Sequence, residues 1–166
     1  ELAFTYPSQL KHYLNNLWSM RSEAERYQVV IETTHHGPTS LKKPVLFVEI
    51  GSSEEEWRDV EAARLVAKAL WKTLEGGSMA EKIGIAFGGP HYPEKFTKFL
   101  IESEYAVGAI ASKHILPFID EDILNQMVQK CVESVKYAIL DWKGLGHEKA
   151  RTVSLLGERD LEIVRV

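Results

Sequence analysis

The run Thr33-Thr34-His35-His36-Gly37-Pro38-Thr39 sets two adjacent imidazoles among three threonine hydroxyls. Apolar runs flank it, residues 27–31 before and 45–50 after, and the Gly-Pro pair can continue neither. Few connecting loops hold so many groups able to carry a proton or a metal ion. Taken alone, a His-His pair in a turn is most simply two solvated side chains. The other polar clusters argue against taking it alone. His91 follows the apolar run 82–87 through Gly88-Gly89-Pro90, and His114 follows the run 105–111 through Ser112-Lys113. Glu49 and Ser52 close the run 45–50, and Asp141 with Lys143 closes the run 137–142.

Hydrolysis is the chemistry this set can support. Neutral imidazoles with a carboxylate ligate zinc, which brings the pKa of a bound water to about 7. Without metal, a histidine can serve as general base on water while glycine N–H groups hold the developing oxyanion. No G-x-S-x-G, H-E-x-x-H, C-x-x-C, Walker A or G-x-G-x-x-G pattern is present, so a covalent serine or cysteine route has no support. The histidines show no regular metal-ligand spacing. Adjacent side chains diverge on an extended backbone, so one imidazole of the His35-His36 pair is expected to face a shared pocket, with either the candidate.

The elements that must position these groups are legible from periodicity. Pro7-Ser8 opens a helix whose apolar face is Leu10, Tyr13, Leu14, Leu17 and Trp18. Residues 27–32 and 44–50 read as the first two strands. A long helix is expected from Ser53 to Leu74, opened by Ser53 with Glu56 at capping-box spacing, with Trp57, Val60, Leu70 and Trp71 on its buried face. Strands at 82–87, 105–111, 137–142 and 161–166 alternate with helices carrying Lys95 to Leu100, Ile123 to Val135 and His147 to Leu156. Cys131 falls on the core stripe of the second of these, as a small hydrophobe rather than a nucleophile. The alternation predicts an α/β fold, three-layer α/β/α around a mostly parallel, mixed sheet, and such sheets bind ligands beyond the carboxyl ends of their strands. If the first two strands formed an antiparallel hairpin, His35-His36 and Glu49 would lie at opposite edges.

Composition sets the outer bounds. The 166 residues suffice for one domain with its own core, at 45% hydrophobic and 27% charged residues. The single cysteine excludes an internal disulfide, and a reducing cytoplasm is the simpler compartment. No apolar run is long enough to span a bilayer. A net charge of −4 counts against long-range attraction to nucleic acid, although segregated lysines could still form a docking face. DNA and membrane are not expected partners.

Thr34-His35-His36-Gly37-Pro38-Thr39, then Pro44 with Phe47-Val48-Glu49-Ile50-Gly51-Ser52-Ser53-Glu54-Glu55-Glu56-Trp57, resembles the archaeal and plant type of D-aminoacyl-tRNA deacylase. Gly88-Gly89-Pro90-His91-Tyr92, Phe96-Thr97-Lys98, Gly108, Lys113-His114 and Asp141 continue the motifs in the same order. The resemblance implies a fold similar to peptidyl-tRNA hydrolases and nucleoside phosphorylases, zinc as cofactor, and hydrolysis of the ester joining a D-amino acid to the tRNA 3′ end. It implies a role in D-amino acid metabolism and translation quality control, in the cytoplasm, with the chain a monomer or weak oligomer. The family carries a further N-terminal segment, so residues 1–166 are expected to be a single α/β catalytic-type domain, the C-terminal part of a longer protein.

Onto these positions fall the expected roles. His35, His36, His91 and Glu49 are the catalytic candidates, and His35, His36, His91, His114 and Asp141 the metal candidates. Gly88, Gly89, Ser52, Thr39, Lys95, Lys98, Lys113 and Lys143 are the substrate-binding candidates, the lysines for acceptor-end phosphates. A peptidyl-tRNA hydrolase-like or nucleoside-hydrolysing enzyme, or a non-catalytic tRNA-end binding domain, are the alternatives.

Overall fold

A computed structural model describes residues 1–157 and 159–166. Its centre is a four-stranded sheet, parallel throughout, built from β1 (Lys82–Phe87), β2 (Tyr105–Ala111), β3 (Tyr137–Leu140) and β4 (Glu162–Arg165) in the order β2-β1-β3-β4. Helices α1 (Pro7–Ser19) and α4 (Glu94–Glu102) lie on one face, and α5 (Glu121–Gln129) and α6 (Lys149–Leu156) on the other. This is the three-layer α/β architecture that the strand and helix alternation predicts.

Side-chain alternation along the strands builds both layers. Ile85 and Phe87 of β1, with Leu140 of β3, pack against Leu124 and Met127 of α5 and Leu156 of α6. Ala86 and Ile139 point the other way, against Leu14 of α1 and Phe96 and Leu100 of α4. In β2 the register advances from Val107 to Ile110 while β1 advances from Gly84 to Ala86, so β2 carries one extra residue there. A Cβ at Gly108 would sit 2.1 Å from Cys131 Sγ, so only glycine lets the helix-end loop close on the bulge.

The first two expected strands do not form. Residues 27–32 and 44–50 lie in no strand, because their backbone groups find almost no partners. The expected 53–74 helix is likewise two pieces. Glu54–Trp57 (α2) is one turn closed by the Ser53–Glu56 capping box, and Val60–Leu74 (α3) starts afresh where the Asp59 carboxylate accepts from Glu61 N (2.9 Å) and Ala62 N (3.0 Å). The face α3 buries is Ala62, Leu65, Ala69 and Thr73, against Tyr13 and Met20 beneath it. Trp57, Val60 and Trp71, expected inside, are about two-thirds exposed (64%, 66% and 67%). Helix α5 ends at Gln129, so Cys131 lies past it, half-buried, 3.3 Å from Thr5 Oγ1. Burial raises its thiol pKa, as befits a packing residue. Among the described residues no helix is long and apolar enough to cross a membrane.

Candidate active site

Three short connections bring the polar clusters to one end of the sheet. After β1, Gly88 and Gly89 both take positive φ, 105° and 76°, a region open to glycine without strain. They turn the chain so that His91 stands beside residues 32–36. Two bonds fix that neighbour. Thr33 N donates to the His91 carbonyl (3.0 Å), and Thr34 clasps the edge of β2, its N–H on Ile110 O (3.0 Å) and its hydroxyl accepting from Ile110 N (2.9 Å). One residue upstream of Glu32, Ile31 N is held by the buried Thr97 hydroxyl of α4 (3.0 Å).

Glu32 is the centre of the cluster. Its Oε1 lies 2.7 Å from His91 Nε2 and 3.0 Å from His35 Nε2, and its Oε2 lies 3.1 Å from His36 Nε2. His36 Nε2 is also 3.1 Å from Glu49 Oε1. The rings crowd together, with centroids 3.9 Å apart for His35 and His36 and 4.6 Å for His35 and His91. Phe47 stacks on His36 at 4.1 Å, and Tyr92 meets His91 edge-on at 4.7 Å. Partial burial pushes the Glu32 carboxyl up, but hydrogen bonds from His35, His36 and His91 outweigh it and hold the pKa below the usual glutamate value. The Glu32 charge in turn raises the Tyr92 phenol.

Both imidazoles of the pair therefore face the site, not one. Strand alternation does not apply, because His35 and His36 lie outside any strand and sit three and four residues beyond a carboxylate that engages both. Glu49 joins them because residues 44–50 return alongside rather than pairing as a hairpin. Glu32, the last residue of the run expected to be the first strand, has no place among the expected site residues and is the centre of the cluster.

The donors form two overlapping sets, Glu32 with His35 and His91, and Glu32 with His36 and Glu49. Within each, the ligand atoms lie within 4.8 Å of one another, and Glu32 serves the two sets with different oxygens. Imidazole nitrogens with carboxylate oxygens are a donor set suited to zinc.

The other candidates stand apart from this cluster. Asp141 is buried and holds Lys95 at 2.7 Å, and His114 is exposed. Neither belongs to a metal-capable set among the described residues. Lys98 lies 4.0 Å from Glu102, whereas Lys113 and Lys143 are exposed and make no ion pair among the described residues. The Gly88 N–H donates to Ala111 O (2.8 Å), and the Gly89 carbonyl accepts from Lys113 N (2.9 Å). The Gly89 N–H makes no backbone bond among the described residues and packs against Gly144, where the Asp141 carboxylate also lies. Ser52 is exposed and lines the groove next to the cluster, and Thr39 is half-buried in the loop beyond His36.

Comparison with known proteins adds a family. A model of the D-aminoacyl-tRNA deacylase family matches residues 1–164. The D-aminoacyl-tRNA deacylase of Cenarchaeum symbiosum is 35% identical over 164 residues, covering 99% of this chain and 63% of that relative. That of Methanococcus maripaludis strain C5 is 42% identical over 156 residues, covering 87% of this chain and 59% of the relative. A crystal structure of a conserved protein of unknown function matches with a TM-score of 0.91 and 28% identity, over 99% of this chain and 58% of that one. The chain thus spans about three-fifths of the length of the relatives it matches.

Proposed function

We propose, since this chain belongs to the D-aminoacyl-tRNA deacylase family, that its histidine cluster hydrolyses the ester bond between a D-amino acid and the 3′ end of tRNA in the cytoplasm. The observation that carries the reading is the convergence of His35, His36 and His91 on the Glu32 carboxylate beyond the strand ends. An aminoacyl ester is already reactive, so an activated water and an oxyanion donor suffice, without a covalent nucleophile.

Glu32, His35 and His91 would hold a zinc ion, and Glu32, His36 and Glu49 offer a second set. Bound there, zinc supplies a Lewis acid and a water that ionises near neutral pH. The chain's own groups do the rest. Glu49 and His36 sit where a carboxylate and an imidazole can relay a proton between them. The ring of Phe47 keeps His36 in that orientation. The negative charge of Glu32 and Glu49 favours the α-ammonium of an aminoacyl group, and Lys113 and Lys143, exposed and in no ion pair among the described residues, are candidates to meet phosphates.

Deacylation of D-Tyr-tRNA and L-Tyr-tRNA, with zinc and after chelation, tests this. It should be run on this chain and on a longer form carrying the part found in the relatives. D-selective release that zinc restores is expected. Because the chain spans about three-fifths of its relatives, a tRNA-end binding domain is the second reading. Tight tRNA binding with no release by either form would put that reading in place of hydrolysis.

A further inference from the structure

Two stretches of this chain hold backbone groups with almost no intramolecular partner among the described residues. Between Gln28 and Glu32 one N–H is bonded among the described residues, that of Ile31, and it goes to a side chain. Between Leu46 and Ile50 no backbone N–H or carbonyl is bonded among the described residues. Both stretches line one open groove of about 540 Å³, together with Leu10, Leu14 and Leu17 of α1 and Val107 and Gly108 of β2. Strand β2 is an edge of the sheet. Thr34 bonds it at Ile110, and among the described residues no segment outside the sheet reaches its backbone from Ala106 to Ala109.

Both runs are rich in β-forming residues and lie mostly half-buried or exposed beside apolar side chains, so a neighbouring strand would exchange their backbone bonds to water for main-chain bonds while covering those side chains. An open sheet edge flanked by two unpaired stretches is the template for strand addition, in which main-chain bonds supply affinity and alternate side chains supply register. We propose that this groove receives one extended polypeptide strand from the part of the protein that the longer relatives carry and this chain does not match. The matched region covers only 63% and 59% of those relatives, so polypeptide is available there to fill it. A second copy is a poorer occupant. Its other sheet edge, β4, offers four residues, and its β2 edge lies in the same groove that needs filling.

The lining fixes the occupant's chemistry. Leu10, Leu14, Leu17, Val29, Leu46 and Val48 call for apolar side chains at alternate positions. The end of the groove at Glu32 and Glu49 calls for a polar or basic residue. That end is the histidine cluster, so the added strand would form one wall of the site. The inference goes beyond the activity proposed above, because it rests on backbone bonding and relative length, and its test does not read catalysis.

The probe is the unmatched portion of the Cenarchaeum symbiosum relative, made as overlapping peptides and added to this chain. Amide hydrogen exchange is followed by mass spectrometry. One peptide, or adjacent overlapping ones, should slow exchange in both residues 28–32 and 46–50 by about tenfold or more. N-methylation of that peptide at alternate residues should abolish the protection. Val48→Pro, which removes an N–H with no bond in this structure, should weaken binding, while Trp71→Asp on the outer face of α3 should not. Absence of protection by every peptide would overturn the proposal. So would protection that follows protein concentration alone, which would assign the groove to a second copy, or equal binding of the N-methylated peptide.

Discussion

Glu32 accepts from three imidazoles through two oxygens, so the neutral amide is the sharpest test of what the cluster is for. Glu32→Gln keeps the shape, leaves one acceptor oxygen in place of two, and removes the charge that both donor sets share. Zinc affinity measured by titration calorimetry should fall by about 10–100-fold or more, and deacylation with it. Asp141→Asn and His114→Ala should leave zinc affinity unchanged, since one side chain is held by Lys95 and the other is exposed. These contrasts also show what the sequence made legible. His35, His36 and Glu49 are marked by apolar runs that form no strand, and they reach the site by other contacts. His91 follows β1, and in a parallel sheet the carboxyl ends of strands share one side. The same rule brought in Asp141 and His114, because it places residues at an end of the sheet without saying which neighbour captures each. Glu32 carried its own signal, a carboxylate three and four residues before two histidines, but that spacing has meaning only where the chain leaves strand geometry.

At the scale of elements, the site depends on a stretch that is in no strand and is held by side chains instead. Thr97 of α4 is buried, donates to Pro93 O (3.2 Å) and accepts from Ile31 N (3.0 Å). Thr97→Val fills the same space but orphans the Ile31 N–H, and should cost about 1–3 kcal/mol in urea unfolding. Thr97→Ser should restore most of it. The start of α3 makes a pH prediction. Backbone N–H from Ala62, then the Tyr27 hydroxyl, holds the Asp59 carboxyl below its usual pKa. A depressed carboxylate stabilises fully above its unfolded pKa, about 3.9, and that contribution is lost as pH falls through the lower folded value. Far-UV helicity should therefore drop in acid, and Asp59→Asn, which still caps, should flatten that dependence. Sequence patterning placed β1 and β2 at their observed bounds because each is an apolar run stopped by glycine or serine. It misjudged the region 53–74 for a different reason. Both faces of α3 carry apolar side chains, Leu65 and Ala69 on one and Val60, Trp71 and Leu74 on the other, and periodicity alone cannot say which face has a neighbour. The strands expected at 27–32 and 44–50 share that difficulty. Their β-forming composition is real, but a strand exists only when another strand bonds it.

For the molecule as a whole, a net charge of −4 means that, under the activity proposed above, tRNA would not be drawn in by a general field and contacts would come from a few placed cations. Two lysines near the site are already engaged. Lys95 is bound to Asp141 at 2.7 Å and Lys98 lies beside Glu102. Lys113 and Lys143, the candidates on the loops that follow β2 and β3, are exposed and without ion pairs among the described residues, as are Lys42 and Lys43 in the loop before Glu49. If Lys113 and Lys143 carry the phosphate contacts to the single-stranded acceptor end, each releases less than one counterion. The slope of log K against log salt should then be shallow, about −1.4. Binding of uncharged tRNA measured over a salt series checks this, and Lys113→Ala with Lys143→Ala together should bring the slope close to zero. A slope several times steeper would mean that a larger basic surface binds the tRNA. That surface would include Lys42 and Lys43, exposed in the loop between His36 and Glu49 and in no ion pair among the described residues, or polypeptide beyond these residues. Substitution at Lys95 would not mimic the double variant, since it would strand the buried Asp141 carboxylate and report on folding instead.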